Sequence, residues 1–321
     1  MDSEAISQKV NGVSPFRIRW KGMRPSLSGL TESRGGPLFR SGLFSLPNAS
    51  FRPMIRRIKK RGNRMRDGIA MRGDWRNETI IVSLSVDGLG SRDLASLHQL
   101  LDAGEQGRAA SFHFDADRHS YIAAHGLLRL FLGAWMGRSP TQLAFNTGTW
   151  GKPALVRGGA PFSISHTRGM VAVAIAPQGD VGVDVEQLST RREPELEIAD
   201  RWFSPQEVAQ ITALETDAEK RERFMRIWNL KEAVIKATGR GLSQELAGFS
   251  VTPATDDSSS PSLECHEEWL RQAGHWQLEQ WQQGKYLLSV AGINGPTTKP
   301  RHLKVTADGL AALADGVPVM A

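Results

Sequence analysis

The stretch Val181-Gly182-Val183-Asp184-Val185-Glu186 sets two carboxylates two residues apart in a run whose β-branched residues read as a strand. Residues i and i+2 of a strand share a face, so Asp184 and Glu186 project together while Val181, Val183 and Val185 turn toward a core. Like charges side by side repel, and paired carboxylate oxygens suit a hard divalent cation. On its own the pair reads equally as a solvated acidic strand edge. Further along, Trp228, Glu232 and Lys236 recur at four-residue spacing on one face of a helix. Alone, that is an amphipathic helix with an i,i+4 ion pair. If its face meets the acidic strand, Glu232 supplies a third oxygen donor and Lys236 lies a turn away, placed to neutralise a diphosphate.

Two further clusters carry anion-binding chemistry. In Asn146-Thr147-Gly148-Thr149-Trp150-Gly151-Lys152-Pro153 the glycines let backbone approach a ligand, and Lys152 offers a point charge suited to phosphate. The plainer reading is a turn with an exposed lysine. Phe162-Ser163-Ile164-Ser165-His166-Thr167 is a strand ending in a hydroxyl and an imidazole. Sequence neighbours rarely form a nucleophilic triad, so Ser165 and His166 make better sense as donors to an anion; a strand-end histidine held by the fold is the alternative.

The elements that must position these residues are legible from about Glu78. Thr79–Val86 reads as a strand and Ser91–Leu101 as helical; Asp115 caps a long amphipathic helix to Met136, closed by Gly137. Short strands at Phe162–Ser165 and Met170–Ala176 precede the carboxylate strand. Ser204-Pro205-Gln206-Glu207 is a capping box with proline at the first helical position, and a second long helix from about Ala218 to Thr238 ends at Gly239 and Gly241. Trp276–Ala291 suggests two closing strands. Strand, helix and strands thus occur twice. The expected fold is α+β, with similar halves at 78–179 and 180–292, a basic low-order extension at 1–75 and a poorly packed tail at 293–321.

Bulk properties narrow the function. The 321 residues carry a formal charge of +6, but residues 1–75 hold 16 basic against 5 acidic residues and the remainder 24 against 29. A mildly acidic body with a basic leader is not evidence that the body binds nucleic acid. No apolar run reaches membrane-spanning length, the start lacks a secretory pattern, and the single cysteine, Cys265, points to a reducing compartment, so the expected location is the cytoplasm.

Taken together, Gly-Lys-Pro, Phe-Ser-Ile-Ser-His, Val-Gly-Val-Asp-Val-Glu, Phe-Ser-x-x-Glu and Trp-x-x-Lys-Glu-Ala-x-x-Lys-Ala-x-Gly-x-Gly-Leu resemble the 4′-phosphopantetheinyl transferases, of the long, pseudo-dimeric, surfactin-synthetase-activating type. The motifs span about Asn146 to Leu242, with weaker similarity back to about Ile80. The resemblance implies halves related by a pseudo-two-fold, and transfer of phosphopantetheine from coenzyme A to a serine of an apo acyl or peptidyl carrier protein, leaving adenosine 3′,5′-bisphosphate. It implies Asp184, Glu186 and Glu232 as Mg²⁺ ligands, with Asp184, Glu232 and Lys236 catalytic. Lys152, Ser165, His166, Lys236 and Arg129 match positions that contact coenzyme A, and Arg108 and Arg118 are candidates for its 3′-phosphate. Glu232 is the expected proton acceptor, with Glu207 as an alternative. Ala233 stands where surfactin-type relatives often carry serine, and the leader departs from the family. A monomer without membrane or nucleic-acid partners is expected. A non-catalytic carrier- or nucleotide-binding protein on the same scaffold is the alternative.

Overall fold

Strand alternation decides the layering of this chain. The computed structural model describes residues 69–70, 75–188, 195–255, 259–314 and 319–320. After β1 (Ile69–Ala70) come β2 (Ile80–Ser85) and helices α1 (Ser91–His98), α2 (Ala103–Ala110) and α3 (Asp115–Met136). The hairpin of β3 (Phe145–Thr147) and β4 (Pro153–Leu155) leads to β5 (Phe162–Thr167), β6 (Met170–Ile175) and β7 (Asp180–Gln187). Next are α4 (Glu195–Trp202), α5 (Pro205–Thr212) and α6 (Asp217–Thr238), then β8 (Phe249–Thr252), β9 (Ser262–Cys265) and the short α7 (Glu268–Gln272). Strands β10 (Trp276–Gln283) and β11 (Tyr286–Ile293) precede β12 (Arg301–Val305), α8 (Ala307–Ala314) and β13 (Val319–Met320).

The two larger sheets have orders β12-β2-β6-β5 and β10-β11-β7. Ile80, Val82 and Leu84 of β2 join a core under α3, while Ile81 between them meets Val181, Val183, Val185, Leu288 and Val290 from the second sheet. The opposite face of that sheet, with Leu287 and Ala291, packs against Ala233 and Val234 of α6. The period of two thus yields four layers: helix, sheet, sheet, helix. The mixed α+β class expected from the sequence is the one observed.

β7 pairs with β11 along one edge. On its other edge the Val183 and Val185 amides donate to the hydroxyls of Ser163 and Ser165 of β5, at 3.0 and 3.2 Å. Side-chain oxygens thus satisfy buried donors that a strand ladder would otherwise take.

Helix α6 starts with a capping box. Thr216 Oγ1 accepts from the Glu219 amide at 3.2 Å, and Glu219 Oε2 accepts from the Thr216 amide at 3.0 Å. It ends where Gly239 adopts φ 71°, the left-handed conformation that glycine takes without a Cβ penalty. α6 lies directly on β7 at Gly182, where an added Cβ would stand 2.0 Å from the Ala233 carbonyl oxygen and 2.3 Å from the Ala237 amide nitrogen.

Two boundaries differ from expectation. Residues 293–314, expected to belong to a poorly packed tail at 293–321, are not loose: β12 pairs in parallel with β2, and Val305 and Leu310 are buried in the core under α3. Arg301-His302-Leu303-Lys304-Val305 carries the charged, alternating pattern of an edge strand, which looks polar until its distant partner is known. At the other end, Trp75 is buried with its ring 5.0 Å from that of Trp135, so the folded body takes in the last residue assigned to the extension. The rest of that extension lies outside the described residues apart from β1. No helix among the described residues is long and apolar enough to cross a membrane.

Gly182→Ala puts a methyl group into helix backbone that cannot yield as a flexible side chain would. The expected loss of stability is about 3 kcal/mol, read as a lowered midpoint in chemical denaturation.

Candidate active site

Gly182, Asp184 and Glu186 share the face of β7 that lies under α6. Asp184 is buried there. Its Oδ1 accepts from Ser165 Oγ at 2.9 Å and from the ammonium of Lys236, which also donates to Ser165 Oγ at 2.8 Å. Its Oδ2 accepts from Asn229 Nδ2 at 2.7 Å. Asn229, Glu232 and Lys236 stand at i, i+3 and i+7 of α6, one stripe of the helix. The stripe does not include Trp228, which stacks on Phe203 and Phe224 with ring centroids 6.3 and 6.1 Å away.

Glu232 is buried, and its Oε1 has no hydrogen-bond partner. Burial pushes its carboxyl up to about 8; the Asp184 charge adds to the rise and Lys236 opposes it. Glu186 is held well above the usual carboxylate range by burial and by Asp184, with Lys236 pulling the other way and Glu232 adding to the rise. The three acids therefore share one field, and the ammonium of Lys236 lies within it.

Among the described residues no group of three or more acidic, histidine or cysteine side chains stands ready as a metal cage. Asp184, Glu186 and Glu232 are thus not preformed as the expected three-ligand set; the cation on Asp184 is the Lys236 ammonium. The donor chemistry nonetheless fits a hard divalent ion. Only oxygens are on offer, one of them buried without a donor, and burial together with mutual repulsion raises acids that a cation would relieve.

Of the other expected residues, Ser165 belongs to this cluster and three do not. Lys152 donates to Asp180 Oδ1 at 3.0 Å and to the Ala237 carbonyl at 2.7 Å, bracing the C-terminus of α6. Burial lowers its pKa, against the pull of Asp180. His166 follows Ser165 in β5, so strand alternation sends it to the face of Phe162 and Ile164 rather than toward Asp184. Arg129 is fully buried. Its guanidinium binds Glu105 Oε2 at 2.6 Å, Asp102 Oδ2 at 2.7 Å, and the carbonyls of Pro140 and Leu143 at 3.1 and 2.9 Å. It ties α2 to α3 and to the chain beyond, with every guanidinium nitrogen already engaged within the fold. Arg108 lies over the Phe112 ring, and Arg118 pairs with Asp115 at 2.7 Å.

Glu207, the alternative base, is sealed in the structure. Its Oε2 accepts from the Ser204 amide and the Lys231 ammonium at 2.9 and 2.8 Å, and its Oε1 accepts from the Val251 amide at 2.8 Å. Lys231 also donates to the Leu246 and Phe249 carbonyls, and burial pushes it down to about 8 against the opposing Glu207 charge. Sequence reasoning missed Asn229, although an uncharged polar residue at i−3 from Glu232 on the same helix stripe was the available signal.

Arg129→Met leaves Glu105 buried without its guanidinium, and the expected cost is about 3–5 kcal/mol in urea denaturation. The pH dependence follows from Glu232. Its folded pKa, about 8, lies above the ordinary glutamate value of 4.5, so its contribution to stability is fully present below about 4.5 and is lost as pH rises through about 8. Glu232→Gln is therefore expected to gain stability relative to the parent across that window, read from denaturation midpoints without divalent ions.

The family model described as the 4′-phosphopantetheinyl transferase superfamily matches residues 180–291. The chain is 33% identical over 165 residues to the 4′-phosphopantetheinyl transferase HetI of Nostoc sp., covering 50% of this chain and 69% of that protein. It is 32% identical over 153 residues to the 4′-phosphopantetheinyl transferase Sfp of Bacillus subtilis, covering 47% and 66%. A solved holo-acyl-carrier-protein synthase from Neisseria meningitidis covers 35% of this chain and 94% of its own at 17% identity, with a TM-score of 0.27, too low to carry weight. A third of the residues shared with the Nostoc protein over more than two thirds of its length is decisive: the chain belongs to the 4′-phosphopantetheinyl transferase superfamily and is an enzyme of that type.

Proposed function

We propose that this chain moves 4′-phosphopantetheine from coenzyme A to the acceptor serine of an apo acyl or peptidyl carrier protein in a Mg²⁺-dependent reaction, leaving adenosine 3′,5′-bisphosphate. The observation that carries the reading is the cluster of buried Asp184 and Glu232 with half-buried Glu186 and Lys236, with an unpartnered oxygen on Glu232. Asp184, Glu186 and Glu232 are the residues assigned to hold Mg²⁺. The ion, when bound, supplies Lewis-acid neutralisation of the diphosphate.

Phosphoryl transfer needs positioning and charge balance more than covalent participation by the protein. The carrier serine oxygen bonds to the phosphorus that bears the pantetheine arm, and the bond from that phosphorus to the oxygen of the adenosine-side phosphate breaks. Lys236 balances the charge growing on the leaving phosphate, and Ser165 holds the ammonium in place. The serine proton goes to Glu232, the carboxylate assigned as acceptor, which a bound divalent ion would keep ionised. Lys152 and His166 are kept as contacts for more distant parts of coenzyme A, whereas Arg129 is withdrawn from that list. Residues 78–179 and 180–292 are read as halves related by a pseudo-two-fold, each with a 22-residue helix on its own sheet. One chain would then be sufficient as a cytoplasmic monomer.

The test is incubation of the full chain with coenzyme A, Mg²⁺ and an apo carrier, followed by the mass of the carrier. A phosphopantetheine-sized gain is expected, and Asp184→Ala is expected to slow it by about 10²–10⁴. Near-normal turnover in that variant would remove the metal assignment.

A further inference from the structure

Asp184 is oriented by a chain of neutral hydrogen bonds that runs in one direction. Gln280 Nε2 donates to Ser289 Oγ at 2.9 Å, Ser289 Oγ donates to Asn229 Oδ1 at 2.6 Å, and Asn229 Nδ2 donates to Asp184 Oδ2 at 2.7 Å. Gln280 is itself anchored by donating to the Arg226 carbonyl at 3.0 Å. Asn229 and Ser289 are fully buried. Ser289 sits directly opposite Asp184 in the β7–β11 ladder, so sheet register brings the relay to the acid. The order of donors fixes the amide: an ionised carboxylate only accepts, so Asn229 must turn its NH₂ to Asp184 and its oxygen to Ser289. Donors aligned in one sense strengthen one another, the more so away from water.

We propose that Asn229, backed by Ser289, is a positioning residue for the transfer reaction. It pins Oδ2 of Asp184 and leaves Oδ1 to Ser165 and Lys236, in the carboxylate that would help hold the divalent ion. The choice of an amide matters. A neutral donor orients the carboxylate without adding a cation that would compete for its charge, which a second lysine would do. A buried acid held this way also loses the freedom to rotate between its two oxygens, so its geometry is set before any ligand arrives. This assignment rests on the proposed metal-dependent transfer and adds to it a residue that touches neither substrate nor ion.

The test reads Mn²⁺ binding by electron paramagnetic resonance, together with steady-state kinetics, on the full chain carrying Asn229→Ala, Asn229→Asp or Ser289→Ala. Asn229→Ala is expected to weaken Mn²⁺ binding and to lower kcat about 10–100-fold, with little change in KM for the carrier. Asn229→Asp, which sets a second carboxylate against Asp184, is expected to lower kcat further. Ser289→Ala, one link removed, is expected to give a smaller loss in the same two readouts. A purely structural role would lower thermal stability in all three and leave Mn²⁺ affinity and kcat of the folded protein unchanged, which would overturn the proposal. If Asn229→Ala does not fold, Ser289→Ala decides by the same criterion. Asp184→Ala is the reference: if it keeps full Mn²⁺ affinity and turnover, the metal-dependent reading fails; if it loses both while the Asn229 and Ser289 variants keep them, only the positioning role fails.

Discussion

The contact between α6 and β7 at Gly182 is the constraint on which the acid cluster depends. With 2.0 Å between a would-be Cβ and the Ala233 carbonyl oxygen, helix and strand touch backbone to backbone. Only at that distance does a short side chain such as Asp184 meet Asn229 and Lys236 across the interface. Gly182 and Asp184 share a face because they are two apart, and Asn229, Glu232 and Lys236 share one because they are three and four apart. The site is where a period of two meets a period near 3.6, at the point where one residue has no side chain.

The same closeness makes the cluster costly. Burial first, and then repulsion among the three carboxylates, which one ammonium does not balance, make Glu232 and Glu186 hold their protons to unusually high pH. A fold selected for stability alone would place apolar residues here, since replacing buried charges by well-packed side chains is often neutral or favourable. The surrounding layers offset the cost: Val181, Val183 and Val185 bury their side chains against the first sheet, while Ala233, Val234 and Ile235 anchor α6.

Much of this was legible in the sequence because it is encoded locally. The Val-Gly-Val-Asp-Val-Glu alternation, the Ser204 capping box and the glycine closing α6 all appear where expected, and Ser165 and Lys236 do meet Asp184. What was not legible depends on residues far apart in the chain. The pairing of β12 with β2 is invisible until both strands are in place. Helix α2 was missed although its Asp102–Glu105 capping box is a local signal. Arg129 matched a ligand-binding position, but its role is set by Glu105, Asp102 and two carbonyls that no motif joins to it. Trp228 obeyed four-residue spacing with Glu232, yet a helix face is wide enough for the true stripe to run one residue over, through Asn229.

Three buried ionic arrangements in one chain show what separates scaffold from site. Around Arg129 every nitrogen of the guanidinium has an acceptor. Around Lys231, both oxygens of Glu207 have donors, and the ammonium reaches two carbonyls besides. Such groups are closed: nothing can be added without breaking a bond already made, and their energy goes into holding elements together. The cluster of Asp184, Glu186, Glu232 and Lys236 is open. It keeps a buried oxygen without a donor and two acids held above their ordinary range, both of which an incoming cation would relieve. An unpaired buried polar atom costs free energy that folding alone gives no reason to spend. Scaffold acids and the acids proposed for function therefore differ in whether their hydrogen bonding is complete, and that test selects Glu232 over Glu207 from two buried glutamates.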